Sequence, residues 1–477
     1  MEDLKAKTIR SSIWTFLESG LVFIVEFVFN IILARLLTPH DYGIYGILMI
    51  FIIISRIFVN SGLGAAIIRE KNTTDSDLST VFFANLSISI FIYLLLFFSS
   101  IFFVGFFDVE NLSLYIKIIS LVLIVDAFTI IQRTILTKEL NFKKQTILNT
   151  ISVLIAGAIG IFLAYSGYGV YSLIFKILIH YTLLTILLWI TSNWKPRLVF
   201  DWIAFKRLFN FSYKLLLSGL LNQFYKYFYY FIIGKFFTID KLGYYNRAES
   251  YANIPTDFIT AAIMKVTYPV LSRIQDEKER LRKAFVDLTR MVMFIIAPII
   301  ALIILVSDDI IVVLIGEKWL PASPYLQLLI SSFILYPIQR LNSQLLNIMG
   351  LSNKYLKLEF IAKVITLPII IIALFFSVRA LLYALILNSI IAYFINGYYT
   401  NKLIDLKPLT QLRHLSPYIM MSVIAYIVSY FSLYMFDLDP LLSLMLHSSI
   451  FASIYLLISW IFKINEVNLV LKYFKKY

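Results

Sequence analysis

Residues 78–104 read LSTVFFANLSISIFIYLLLFFSSIFFV, an apolar run without one charged side chain. A helix rises about 1.5 Å per residue and the hydrocarbon core of a bilayer is about 30 Å thick, so about 20 such residues cross it. Comparable runs fill the chain almost end to end, at 12–36, 43–66, 112–135, 147–166, 169–191, 210–235, 250–271, 286–306, 324–349, 357–376, 379–400, 414–435 and 440–462. With 78–104 they predict an all-α polytopic membrane protein of about fourteen transmembrane helices. Composition agrees: 60% of residues are hydrophobic and 15% charged, against about 45–50% and about 25% in soluble domains. The polar segment 1–10 precedes a long run without a small-residue cleavage site, which reads as a retained first helix.

The net charge of +14 follows topology. Basic residues gather in alternate loops: Arg69 and Lys71; Arg133, Lys138, Lys143 and Lys144; Lys195, Arg197, Lys206 and Arg207; Arg273, Lys278, Arg280, Arg282 and Lys283; Lys402, Lys407 and Arg413. The intervening loops are short and acidic, with Asp108, Glu110, Asp308, Asp309, Asp437 and Asp439. Basic loops face the cytoplasm, so both termini are expected there and no nucleic-acid partner is implied. The chain has no cysteine, which excludes disulfides and thiolate chemistry.

An internal repeat organises the chain. Arg35-Leu36-Leu37-Thr38 followed by Gly43-Ile44-Tyr45 has a counterpart in Lys235-Phe236-Phe237-Thr238 followed by Gly243-Tyr244-Tyr245, with the same spacing from 35 to 235 as from 45 to 245. The copies end spans one and seven. Six spans separate them, so they share one orientation and predict a parallel repeat. The domain reading is an N-lobe at 1–191, a cytoplasmic linker at 192–209, a C-lobe at 210–400, and two further helices with a tail at 401–477. An interfacial helix in the linker fits its Trp194, Trp202, Phe205, Lys206 and Arg207.

Leu242-Gly243-Tyr244-Tyr245-Asn246-Arg247-Ala248-Glu249, then Pro255, then Val266-Thr267-Tyr268-Pro269-Val270-Leu271-Ser272-Arg273 and Leu281-Arg282-Lys283-Ala284 form a recognisable pattern. Leu33-Ala34-Arg35-Leu36-Leu37-Thr38-Pro39 with Asp41-Tyr42-Gly43, and Gly62-Leu63-Gly64-Ala65-Ala66, extend it. The chain resembles the polysaccharide-exporter branch (Wzx and colanic-acid or teichuronic-acid exporter type) of the multidrug/oligosaccharidyl-lipid/polysaccharide flippase superfamily. That resemblance implies a non-enzymatic flippase of the cytoplasmic (inner) membrane working by alternating access. It implies an undecaprenyl-diphosphate-linked glycan as cargo, for O-antigen, capsule or exopolysaccharide. Membrane lipids, a glycan polymerase and chain-length machinery would be its partners, and it would need no cofactor beyond proton or sodium coupling.

Charges inside spans are the residues that composition leaves unexplained, since one at the bilayer centre costs about 2.5–3.5 kcal/mol on insertion scales. Arg56, Lys226, Lys265 and Arg340 have no acid at i±3 or i±4, so they are expected to line a cavity with Asn222, Gln223, Gln344 and Asn388. Glu18, Glu26 and Asp126 are candidates for counter-charge or ion coupling. Asp126 and Arg133 lie about 20° apart on one helix face and are expected to pair. Lys176 and His180 are also expected to be structural. The four histidines have no metal-ligand spacing, and no P-loop is present. An ion-coupled small-molecule or drug exporter remains the alternative, and a membrane glycan polymerase or acyltransferase a more distant one.

The charge pattern makes a topological prediction. In this naturally cysteine-free chain, Ser272→Cys should react with an impermeant thiol reagent from the cytoplasmic side, and cysteines at 37–42 from outside. Labelling at 272 from the outer face alone overturns the topology.

Overall fold

The computed structural model describes residues 20–466 except 21, 434, 435, 437 and 465. Among the described residues the chain is helical and without strands, and nine helices are long and apolar enough to cross a membrane. The first helix of the chain, α1, lies at 22–36 in its described part and is not one of those nine. There follow α2 (Pro39–Asn60), α3 (Leu63–Arg69), α4 (Asp75–Phe107), α5 (Leu112–Ile119), α6 (Leu121–Lys138), α7 (Phe142–Tyr165), α8 (Val170–Thr191), α9 (Trp202–Phe236) and α10 (Ile239–Ser272). The last eight are α11 (Lys278–Leu305), α12 (Ser307–Ile315), α13 (Ser323–Ser332), α14 (Tyr336–Ile348), α15 (Ser352–Leu374), α16 (Val378–Ile404), α17 (Pro408–Leu433) and α18 (Pro440–Ile461).

Three runs expected as single spans are interrupted. The run 43–66 breaks at Ser61 and Gly62, both left-handed, with φ of 43° and 73°. Glycine is required at 62 twice over, because a Cβ there would also press on the Ser212 carbonyl at 3.0 Å. The run 112–135 breaks at Ser120, and 324–349 breaks at 333–335 ahead of Pro337, whose missing N–H ends the ladder. Helix starts are better signalled. Thr38 and Thr74 each accept from the N–H three residues on, at 3.2 and 3.1 Å, while Asp41 and Asp77 accept from the threonine N–H. These are capping boxes that satisfy otherwise orphaned donors.

The chain divides into two compact units between Gly243 and Tyr244. In the first, α9 packs along α2, α3 and α4, and α8 packs on α6 and α7. Phe82 is its aromatic centre, with the rings of Phe128, Trp189 and Trp194 at 5.7, 6.0 and 6.0 Å. The segment after α8 runs extended instead of forming an interfacial helix, because α4 pins its backbone. Ser79 Oγ accepts from Arg197 N at 3.0 Å and Thr80 Oγ1 from Asp201 N at 2.9 Å. Arg207 closes the same end on Asp77 at 2.6 Å. From Trp202 the chain is already the first turn of α9. The opposite surface of α4 is lipid-facing, with Phe91, Phe98 and Phe102 exposed on one stripe.

In the second unit, α11 packs along α17, and α17 on α18 through Met421, Ala425, Phe451 and Tyr455. Its interior holds a polar knot from three helices. Asn342 of α14 donates to Gln411 of α17 at 3.3 Å, Thr400 of α16 donates to Asn342 at 3.0 Å, and the Tyr393 hydroxyl donates to Gln411 at 2.8 Å. Such bonds are costly to leave unmade in a low-dielectric interior.

The repeat glycines explain themselves. A Cβ on Gly43 would collide with the carbonyl oxygen of Ile239, and one on Gly243 with the carbonyl oxygen of Pro39. Each copy's glycine makes room for the other copy's backbone, so the starts of α2 and α10 touch main chain to main chain. His40 and Asp240 meet beside them at 3.4 Å. Gly43→Ala and Gly243→Ala should therefore each destabilise the purified protein by about 1–3 kcal/mol, the usual cost of overpacking. Gly105→Ala, where nothing lies within 4 Å, should be neutral or stabilising in the same thermal-unfolding series.

Candidate functional site

Arg56 lies about four-fifths along α2, beside isoleucines and a phenylalanine, and its own helix offers its guanidinium no carboxylate. Its partner comes from another helix. Arg56 Nε donates to Asp126 Oδ2 of α6 at 3.0 Å, and the guanidinium carbon sits 4.6 Å from the centroid of the Tyr181 ring on α8. The second carboxylate oxygen is engaged as well, accepting from Thr129 Oγ1 at 3.2 Å. Asp126 is fully enclosed, its side chain 2% exposed, whereas Arg56 keeps 27%. The arginine therefore spans two environments, an ion pair on one side and open space on the other.

That space is a cavity of about 320 Å³ between α2 and α9, lined by Ile53, Arg56, Ile57, Asn60, Gly62, Leu215, Leu216 and Gln223. Small residues keep it open. Gly219 faces Ile57 across the α2–α9 contact, and the left-handed Gly62 turns the chain beneath it. The wall is apolar below with one cation and two amides, a composition suited to a ligand with a polar head and an apolar body.

The expected pairing of Asp126 with Arg133 is corrected here. Helical-wheel spacing placed them on one face, but the shorter reach across to α2 gives the carboxylate to Arg56. Arg56 is thus not a lone cavity cation; it is a paired one that still lines a cavity. Lys176 and His180 do not pair either: Lys176 Nζ donates to Asn30 Oδ1 at 3.2 Å, and His180 Nδ1 is buried without a hydrogen bond. Asn222 and Lys226 are exposed on α9, one turn apart, and Glu26 is exposed on α1. These residues belong to the first unit.

Lys265, Arg340, Gln344 and Asn388 belong to the second. Lys265 is exposed on α10. Arg340 is exposed on α14, where its Nε donates to the Tyr336 hydroxyl at 3.0 Å and its guanidinium lies 5.3 Å from that ring's centroid. Gln344 is half-buried and accepts from Asn347 at 3.5 Å. Asn388 is buried with neither amide atom bonded. Glu18 lies outside the described residues. Sequence reasoning missed Tyr181 and Thr129, which complete the Arg56–Asp126 site, and the Asn342–Gln411–Tyr393 knot.

A bundle of apolar helices of this length, with charged and amide groups held along cavities, defines a multi-pass membrane protein. The model of the polysaccharide biosynthesis protein family matches residues 32–324, more than half of the chain. The teichuronic acid biosynthesis protein TuaB of Bacillus subtilis is 26% identical over 354 residues, 72% of each chain. The succinoglycan biosynthesis transport protein ExoT of Rhizobium meliloti is 25% identical over 336 residues, 70% of this chain and 68% of that one. Among solved structures, the lipid II flippase MurJ in an inward closed conformation shares the fold, with a TM-score of 0.78 at 17% identity, covering 96% of this chain and all of that one. The chain belongs to the polysaccharide biosynthesis protein family.

The ion pair makes a double-mutant prediction. Asp126→Asn leaves a guanidinium in a largely apolar setting and should cost about 3 kcal/mol, the scale for breaking a buried pair. Arg56→Met with Asp126→Leu should unfold at a higher temperature than Asp126→Asn alone, as measured by thermal unfolding in detergent. Additive losses would show that the pair is not a unit.

Proposed function

We propose that the chain translocates lipid-diphosphate-linked oligosaccharide repeat units, for O-antigen, capsule or exopolysaccharide, from the inner to the outer leaflet of the cytoplasmic membrane. In this reading about fourteen helices form two six-helix lobes and two further helices, with both termini in the cytoplasm and alternating access between the lobes. An undecaprenyl-diphosphate-linked glycan is the cargo, membrane lipids surround its tail, and a polymerase with chain-length machinery receives the product.

The observation that carries the reading is the cavity beside Arg56. A guanidinium has five N–H donors in a rigid fork, and Asp126 takes only part of that capacity. The remainder suits a phosphate oxygen, while Asn60 and Gln223 offer amides to sugar hydroxyls. Because Asp126 already neutralises the arginine, cargo is held moderately. That fits a carrier, which must release what it binds. The names of TuaB and ExoT, proteins of polysaccharide biosynthesis and transport, support the same class of cargo.

On this reading Lys226, Lys265 and Arg340 add positive charge along the path, and Asn222 and Gln344 add amides. Asp126 acts as a counter-charge; Glu26, exposed on α1, and Glu18 stay the candidates for counter-charge or for proton or sodium coupling.

Lys226→Ala and Arg340→Ala should each reduce glycan export at least tenfold with membrane abundance unchanged. Surface glycan and chain abundance would be measured together in a host lacking its own flippase. For either residue, export falling only in step with abundance would assign it to packing, and cells that gain drug resistance without exporting glycan would overturn the cargo.

A further inference from the structure

Arg133 is left over by the pairing of Asp126 with Arg56. It lines a second cavity, of about 240 Å³, enclosed by Arg133 and Thr137 of α6, Gln145 and Asn149 of α7, and Leu184 and Leu188 of α8. No carboxylate among the described residues lies within ion-pair distance of it. No acidic side chain lines the cavity, so its net charge is positive.

The walls are fixed by their own bonds. Gln145 Nε2 donates to the Arg133 carbonyl and to Thr137 Oγ1, both at 2.9 Å, and Thr137 Oγ1 donates to the Arg133 carbonyl at 2.8 Å. Lys144 Nζ ties the start of α7 to the Thr191 carbonyl at the end of α8. Leu184 and Leu188 are buried and form the floor. Two donors remain uncommitted, the Arg133 guanidinium and the Asn149 amide, which makes no hydrogen bond among the described residues. A pocket that is prearranged and cationic, with donors uncommitted, suits an anion.

Depth selects the kind of anion. The span Leu112–Lys138, kinked at Ser120, has 27 residues, about 40 Å of helix against about 30 Å of hydrocarbon. About one turn at each end therefore stands in the headgroup layer, and Arg133, about 7–8 Å from the helix end, reaches that layer with its long side chain. The basic loops assign this end to the cytoplasmic side. Ile147, Ile151, Leu154 and Ile155 of α7 are exposed alongside it, an apolar face for acyl chains. The volume is several times the roughly 30 Å³ of a water, enough for a phosphate group and too little for an oligosaccharide.

We propose that this pocket binds a phosphate-bearing anion, namely the phosphodiester headgroup of an anionic phospholipid in the cytoplasmic leaflet. The planar fork of Arg133 matches two phosphate oxygens, and Asn149 reaches a third. The site is separate from the Arg56 cavity and does not depend on what that cavity carries.

The test uses the purified, delipidated full chain, with bound lipid counted by native mass spectrometry and stability followed by thermal unfolding. Phosphatidylglycerol should be retained about fivefold over phosphatidylcholine, one basic residue's share, and should raise the unfolding temperature; inorganic phosphate should not. Arg133→Gln should abolish that preference. Asn149→Phe, which fills the pocket and keeps the arginine, should abolish it too and guards against a folding failure of the first variant. Lys195→Gln, an exposed charge elsewhere, should leave it intact. A preference unchanged in Arg133→Gln or Asn149→Phe overturns the proposal, as does equal loss in Lys195→Gln. Protection by inorganic phosphate without protection by phosphatidylglycerol also overturns it, in favour of a free-anion site.

Discussion

Hydrocarbon offers no partner to a polar group, and nearly every local choice in this chain answers that constraint. The backbone is satisfied within helices, the only open-chain solution in a bilayer. Serines and threonines inside the spans turn back on their own helix, as Thr134 does to Ile130, Ser152 to Leu148 and Ser459 to Tyr455. Where a side chain is too long or too charged for that, it reaches a neighbouring helix. Arg56, Lys176 and Gln411 each do so, and their reach determines which helices stay adjacent.

What was legible in the sequence follows the range of the physics. Hydrophobic length is a local property, so the helical membrane class and most spans could be read directly. Breaks at Ser61–Gly62, Ser120 and 333–335 were not visible, because serine and glycine barely alter hydropathy and the turn is set by what packs against it. Asp126 shows the larger limit. A helical wheel sees only its own helix and offered Arg133, whereas the actual partner is 70 residues earlier in the chain. Tyr181 was hidden differently, as one aromatic among many in a chain that is 16% aromatic.

The Arg56–Asp126 pair also bears on how a carrier can hold a charged headgroup inside a membrane. An isolated guanidinium would bind a phosphate strongly and carry a large desolvation penalty when empty. A guanidinium already held by a carboxylate and an aromatic face has less of both. If the Arg56 cavity carries the proposed cargo, partial exposure of the arginine beside a fully enclosed aspartate keeps its charge balanced while the cavity is empty.

The reciprocal glycines at 43 and 243 have a consequence for ancestry. If the two copies descend from one duplicated segment, most positions were free to diverge once each half had its own surroundings; these two are held by the contact itself. Each glycine is constrained by the main chain of the opposite copy, and no side-chain change at Pro39 or Ile239 can move a carbonyl oxygen aside. A larger residue at either glycine position has no compensating side-chain change across the contact, so the room for each glycine is set by the main chain of the other copy.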